Sequence, residues 1–90
     1  MKDTTNRQIL IDAGYEDSIV FESPDYDGAI IGVSEDGAVV YDFNRMAVWL
    51  SEKENISIEE AIDFICFNTI GALPHIGEGA PVIITMLEDL

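Results

Sequence analysis

The stretch Ala29-Ile30-Ile31-Gly32-Val33-Ser34-Glu35-Asp36-Gly37-Ala38-Val39-Val40-Tyr41-Asp42-Phe43 decides the fold. Two β-rich runs, 29–34 and 38–43, flank Glu35-Asp36-Gly37. Asp-Gly between apolar runs marks a hairpin, because a tight turn needs a positive φ that glycine adopts without strain. In the second run Val39, Tyr41 and Phe43 share one face, and Val40 and Asp42 share the other. In the first run Ile31 and Val33 share a face.

Upstream, Thr4 or Thr5 can cap a short helix running to Ala13, with Ile9, Leu10 and Ala13 as its apolar stripe and Gly14 as its stop. Ser18-Ile19-Val20-Phe21 reads as a short strand. The Pro, Asp and Gly of 22–28 make a loop. Downstream, Asn44 can cap a helix through about Glu54 that faces Met46, Ala47 and Leu50 to the core, with Trp49 on its flank and Asn55 ending it. Ser57-x-x-Glu60 is a capping box. It opens a third helix to about Thr69 that turns Ile58, Ala61, Ile62, Ile65 and Cys66 inward. Gly71, Pro74, Gly77, Gly79 and Pro81 break the next segment into a loop. The run 81–87 is a last strand, apolar on both sides and so expected to be central or covered. The order α-β-β-β-α-α-β predicts an α+β fold: one domain over 1–90, an antiparallel sheet with helices packed on one face.

Composition narrows the function. The 90 residues carry 18 Asp+Glu against 4 Lys+Arg, a formal net charge of −14, with 48% hydrophobic residues and one cysteine. Such a chain is too apolar for a disordered acidic tail. One cysteine builds no internal disulfide framework. No apolar run approaches the roughly 18 residues of a membrane span, and Met1-Lys2-Asp3-Thr4 opens no secretory segment. The expectation is a soluble protein of the cytoplasm. Its negative sign disfavours direct binding to nucleic acid or an anionic membrane and favours a basic protein partner. A folded monomer of this size exposes on the order of 5,200 Å², or roughly one net charge per 370 Å². Duplex DNA carries roughly one per 110 Å². The surface resembles nucleic acid only where one face gathers the acids.

An antiparallel meander would do that gathering. It carries Glu16 and Asp17, Glu35 and Asp36, Glu52 and Glu54, and Glu59 and Glu60 to one end, with Lys53 as the only cation. The other end collects Glu22, Asp25, Asp27 and Asp42, with Arg45 nearby. Glu59 and Glu60 suit a helix N-terminus, and turn acids are ordinary. Glu52 and Glu54 lie near a helix C-terminus, where the dipole disfavours them. From Glu54 to Leu90 there is no Lys or Arg. The eight carboxylates Glu16, Asp17, Glu35, Asp36, Glu52, Glu54, Glu59 and Glu60 are therefore the candidate partner-binding residues.

Catalytic and metal chemistry find little support in the residues. Cys66 between Ile65 and Phe67 reads as a buried structural thiol. His75 after Leu73-Pro74 has no nucleophile near it in sequence. Asp25-Tyr26-Asp27-Gly28 echoes the start of a calcium loop, but its glycine comes too early and the distal Glu is missing. Zinc has no Cys/His set. Gly77-Glu78-Gly79 is a turn and not a phosphate loop, and paired carboxylates for glycoside hydrolysis would need a cleft. No enzyme activity, cofactor or metal is expected.

The segment Phe67-Asn68-Thr69-Ile70-Gly71-Ala72-Leu73-Pro74-His75-Ile76-Gly77, with Ile58 to Met86 around it, resembles a family of small uncharacterised acidic proteins of bacterial and phage-related genomes. Their pattern reads EYNTIRALPYMG, followed by APIIMY. Gly71 stands here for the Arg of that pattern, and His75 for a Tyr. The stretch from Ile31 to Asp42 resembles them too. This resemblance implies no activity. More loosely, in size and charge, the chain resembles phage anti-CRISPR proteins, several of which are similar to nucleic acid in shape and charge. That resemblance implies a binding protein that blocks the basic DNA- or RNA-binding surface of a Cas nuclease or similar defence effector in a bacterial host. The alternative expectation is a small interaction domain whose partner meets the 68–80 loop and the sheet edge. The last strand is also a candidate contact for a homodimer.

Overall fold

The computed structural model describes residues 5–90. The elements are α1 (Asn6–Asp12), β1 (Ile30–Val33), β2 (Val39–Asp42), α2 (Phe43–Glu54), α3 (Ile58–Phe64), α4 (Leu73–Ile76) and β3 (Val82–Ile84). A π turn at Ile65–Thr69 and a 3-10 turn at Ile70–Ala72 join α3 to α4, and further 3-10 turns lie at Asp27–Ala29 and Leu87–Asp89. The fold is α+β, as the pattern predicts.

The hairpin forms where it is expected. Ser34 N–H donates to the Ala38 carbonyl at 2.7 Å, and Gly37 N–H to the Ser34 carbonyl at 3.0 Å. Gly37 takes φ +90°, the left-handed residue that closes a three-residue loop. Ile30 pairs with Tyr41, Gly32 with Val40 and Val33 with Val39, leaving Ile31 as a bulge. The bulge puts Ile30 and Val33 on the core face and leaves Ile31 exposed.

Three expectations fail in the sheet. First, Ser18–Phe21 is not a strand. Phe21 N–H donates to the Tyr41 hydroxyl at 3.1 Å, and the Ser18 hydroxyl donates to the Gly37 carbonyl at 3.0 Å. Tyr41 is fully buried on the core face, so its hydroxyl can reach only a segment that crosses that face. The segment is a strap over the sheet, its polar backbone met by side chains instead of a ladder. Second, the sheet is mixed. Its order is β1-β2-β3, with β3 parallel to β2 through Val40–Val82, Tyr41–Ile83 and Asp42–Ile84. The helices between β2 and β3 make a crossover, and a crossover permits parallel pairing where a short turn does not. Third, β3 is an edge strand whose Val82 and Ile84 are exposed; only Ile83, on the Tyr41 face, packs against the core.

α1 and α3 follow their caps, whereas α2 starts at Phe43, ahead of the expected Asn44 cap, and its N-cap Asp42 makes no capping bond. Thr5 accepts from Gln8 N–H at 3.0 Å; Thr4 lies outside the described residues. At the other end of α1, Gly14 N–H bonds the Ile11 carbonyl and Tyr15 N–H the Leu10 carbonyl, the double closure that a left-handed glycine allows. Ser57 and Glu60 form the predicted capping box, and Asn55 at φ 56° ends α2. Met46, Ala47 and Leu50 are buried. In α3 and its π turn, Ala61, Ile65 and Thr69 point inward, while Cys66 is exposed and Phe67 is 81% exposed. The expected buried thiol is thus overturned: through the wide turn Ile65 keeps its inward place and Thr69, not Cys66, joins it. Ile58, expected inward, is exposed at the first turn of α3. The expected 68–80 loop is helical as far as Ile76, with Pro74 near the start of α4, where a missing N–H costs nothing.

The core joins both halves of the chain. Tyr26 is fully buried in a left-handed conformation, packs on Phe21 and Trp49, and shares a 2.8 Å hydrogen bond with Thr69. Asp27, beside it, holds α1: its carboxylate accepts from Asn6 N–H at 2.8 Å and Arg7 N–H at 2.9 Å.

Candidate acidic binding surface

All eight predicted carboxylates are exposed, and they fall into two groups. The first lies at the β1–β2 turn. The strap is tied to this turn through the Ser18–Gly37 hydrogen bond. Asp17 and Asp36 consequently line one open cleft of about 380 Å³, with Ser18, Ile19 and Gly79. Glu16 and Glu35 are their chain neighbours. Glu78 lines the same cleft. The sequence marks Glu78 only as part of a turn, yet the turn is what delivers it. Gly77 and Gly79 take φ +83° and +85°, and Gly79 lies against the Ile19 side chain. Two left-handed glycines around an acid are the signal that could have found it.

Asp36 is held in place. Its carboxylate accepts a hydrogen bond from the Ser34 hydroxyl, which in turn accepts from Ala38 N–H. The Ser34 bond, with backbone N–H groups of the turn, holds the Asp36 carboxyl below its ordinary value. This carboxylate stays negative to lower pH than a free aspartate.

The second group surrounds the α2–α3 connection. Glu52 and Glu54 are in the last turn of α2, and Glu59 and Glu60 are in the first turn of α3. Glu54 lines a different, more apolar cleft with Lys53, Ser23, Pro24, Leu50, Ile56 and Phe64. The Glu60 carboxylate is occupied by Ser57 N–H at 3.0 Å. This group has a cation beside it and a capping duty; among the described residues the turn group has neither.

The described cations lie elsewhere. Arg7 pairs with Glu22 at 3.5 Å, Arg45 pairs with Asp42 at 3.5 Å, and the Lys53 ammonium lies 5.6 Å from the centre of the Trp49 ring. At the far end of the sheet, the acids of the expected second cluster are largely put to structural use. Asp27 caps α1 and Asp25 accepts from Asp27 N–H, so the calcium-like segment directs its oxygens at backbone. Asp42 is different: it is 4% exposed, and one of its oxygens has no hydrogen-bond partner among the described residues.

His75 is exposed in α4, and the exposed Cys66 is in the π turn. Among the described residues there is no group of three or more His, Cys, Asp and Glu able to hold a metal ion, and no helix is long and apolar enough to cross a membrane. No protein-family model, curated protein or solved structure matches this chain.

Proposed function

We propose that this chain is a binding protein that presents carboxylates in place of phosphates and occupies the basic nucleic-acid-binding surface of a bacterial defence protein. In its specific form it is an anti-CRISPR inhibitor of a Cas nuclease, acting in the cytoplasm of the host cell. One observation carries the reading: acids from three separated segments, Asp17, Asp36 and Glu78, line one cleft at the β1–β2 turn, while Arg7, Arg45 and Lys53 are engaged elsewhere.

Magnitude explains why local gathering matters. The surface of 5963 Å² shared by a net charge of −14 leaves about 430 Å² per charge, several times more dilute than DNA. Screening confines an exposed charge to about 8 Å at physiological salt. Only carboxylates on one patch act together on a partner's lysines and arginines. Rigidity helps as well, because a carboxylate already fixed loses little freedom on binding. The hydrogen bonds from Ser34 and the turn amides fix Asp36 in this way.

The test is recovery of partners from a bacterial lysate at low salt and again at about 0.5 M salt, where screening is short-ranged. A nucleic-acid-binding protein displaced by both salt and added DNA is the expected result. A triple variant, Asp17→Asn, Asp36→Asn and Glu78→Gln, should lose it while keeping its fold. A partner retained at high salt would favour the second reading, an interaction domain with incidental acidity. That reading has its own observation in the exposed Phe67, Val82 and Ile84.

A further inference from the structure

The Asp42 carboxylate ends β2 and stands immediately before α2. An aspartate at that position ordinarily accepts an N–H from the first helical turn. Asp42 makes no such bond. Its side chain is only 6% exposed, and its one partner among the described residues is the Arg45 Nε, 3.5 Å from Oδ2. Its Oδ1 is closed off from water and accepts nothing from the described residues. A buried carboxylate with an empty acceptor is costly to keep, and native proteins keep few such groups.

The surroundings say what would fill it. Tyr41 faces the core, so alternation along β2 turns Asp42 to the outer face of the sheet, beside its ladder neighbour Ile84. There it lines an open cleft of about 610 Å³ with Ile31, Met86, Asn44, Glu88 and Asp89. Three carboxylates and one guanidinium leave the cleft negative. Ile31 and Met86 supply partly exposed apolar wall. Arg45, three residues along the same chain, brings only its Nε near Oδ2, and its side chain is 62% exposed. It shows that the site receives a guanidinium, but from this position it leaves Oδ1 unmet.

We propose that this cleft receives an arginine side chain of a partner protein. Arg45 swings out to solvent and uncovers the carboxylate; the incoming guanidinium then donates to both oxygens of Asp42, and its aliphatic stem lies along Ile31 and Met86. Arginine suits the site better than lysine: its planar fork spans two carboxylate oxygens, and its weak hydration tolerates a half-buried place. The site is at the opposite end of β2 from the turn acids, so the proposal stands apart from the function proposed above.

The test is an NMR titration of the whole labelled chain with acetyl-Gly-Arg-Gly-amide, and with the same peptide carrying neutral citrulline. The expected result is saturable shifts at Ile31, Asp42, Asn44, Arg45 and the 86–89 segment, with citrulline at least about tenfold weaker. Asp42→Asn should abolish them. Should that variant fold poorly, Glu88→Gln with Asp89→Asn should still weaken them, and Arg45→Ala should strengthen them. The triple variant at Asp17, Asp36 and Glu78 should leave them unchanged, which separates this site from the turn surface. Shifts that never saturate, that spread equally to the turn acids, or that citrulline reproduces would overturn the proposal.

Discussion

Replacing Tyr26 by Phe tests how the two halves of the chain are held together. The Tyr26 hydroxyl shares a 2.8 Å hydrogen bond with Thr69 Oγ1, 43 residues away, and Tyr26 and Thr69 are 0% and 7% exposed. Phe keeps the ring against Phe21 and Trp49 and bears the same left-handed backbone, so packing and strain cancel between the two forms. What is lost is one net hydrogen bond, about 1 kcal/mol, together with a buried Thr69 hydroxyl left without its partner, about 1–3 kcal/mol if nothing replaces it. Thr69 stands in a helical turn and can bond back to the carbonyl four residues earlier, which trims the second contribution. The expected loss is about 2 kcal/mol, or roughly 8–16 °C in Tm for a domain of this size. Urea titration at neutral pH measures it, with an unchanged m value showing that only stability moved. Thr69→Val alone should cost a similar amount. The double variant should recover most of the loss, because replacing both partners with apolar groups leaves nothing unpaired. A Tyr26→Phe chain within about 0.5 kcal/mol of the parent, or a double variant as unstable as the sum of the singles, would refute the reasoning.

Asp27→Ala should release α1, whose seven residues are too few to persist unaided. Hydrogen exchange should show the amides of Asn6 and Arg7 deprotected, with a global loss of about 1–2 kcal/mol. Burial pushes the Tyr26 and Tyr41 phenols above their ordinary value, so the unfolded chain ionises first, near pH 10. Their contribution to stability is complete below that pH and falls as pH rises toward the folded-state values, which denaturant titrations across the alkaline range will detect. Gly37→Ala forces an L side chain to φ +90° and should cost about 1–2 kcal/mol in thermal unfolding, whereas Gly32→Ala, with open space at its Cβ and no positive φ, should cost less.

Much of this fold is readable locally. The Asp36-Gly37 hairpin, the Ser57–Glu60 box, the Gly14 and Asn55 stops and the Met46, Ala47, Leu50 stripe each depend on a few adjacent residues. A few adjacent residues suffice because caps and turns are short-range hydrogen-bond problems. The strap at 18–21 is not readable in this way. Its sequence has strand composition, and only the position of the buried Tyr41 hydroxyl decides that it crosses the sheet instead of joining it. Cys66 departs from its expected place for a related reason. Regular helical spacing puts it inward, and the π turn redistributes which residues face the core.

The candidate sites divide along the same line. Composition alone establishes a surplus of fourteen negative charges and a chain without Lys or Arg after Glu54. Which acids become neighbours is a matter of topology. Asp17 meets Asp36 because the strap is pinned to the hairpin, and Glu78 joins them because a two-glycine turn folds back against Ile19. In sequence, Asp42 is one more acid at the start of a helix. Its burial depends on β3 pairing parallel to β2, and that pairing depends on everything the chain does over residues 43–81 between them. Charge sign is a sum over residues and needs no coordinates. Proximity, burial and an unmet hydrogen bond are relations between distant segments, and only the folded chain defines them.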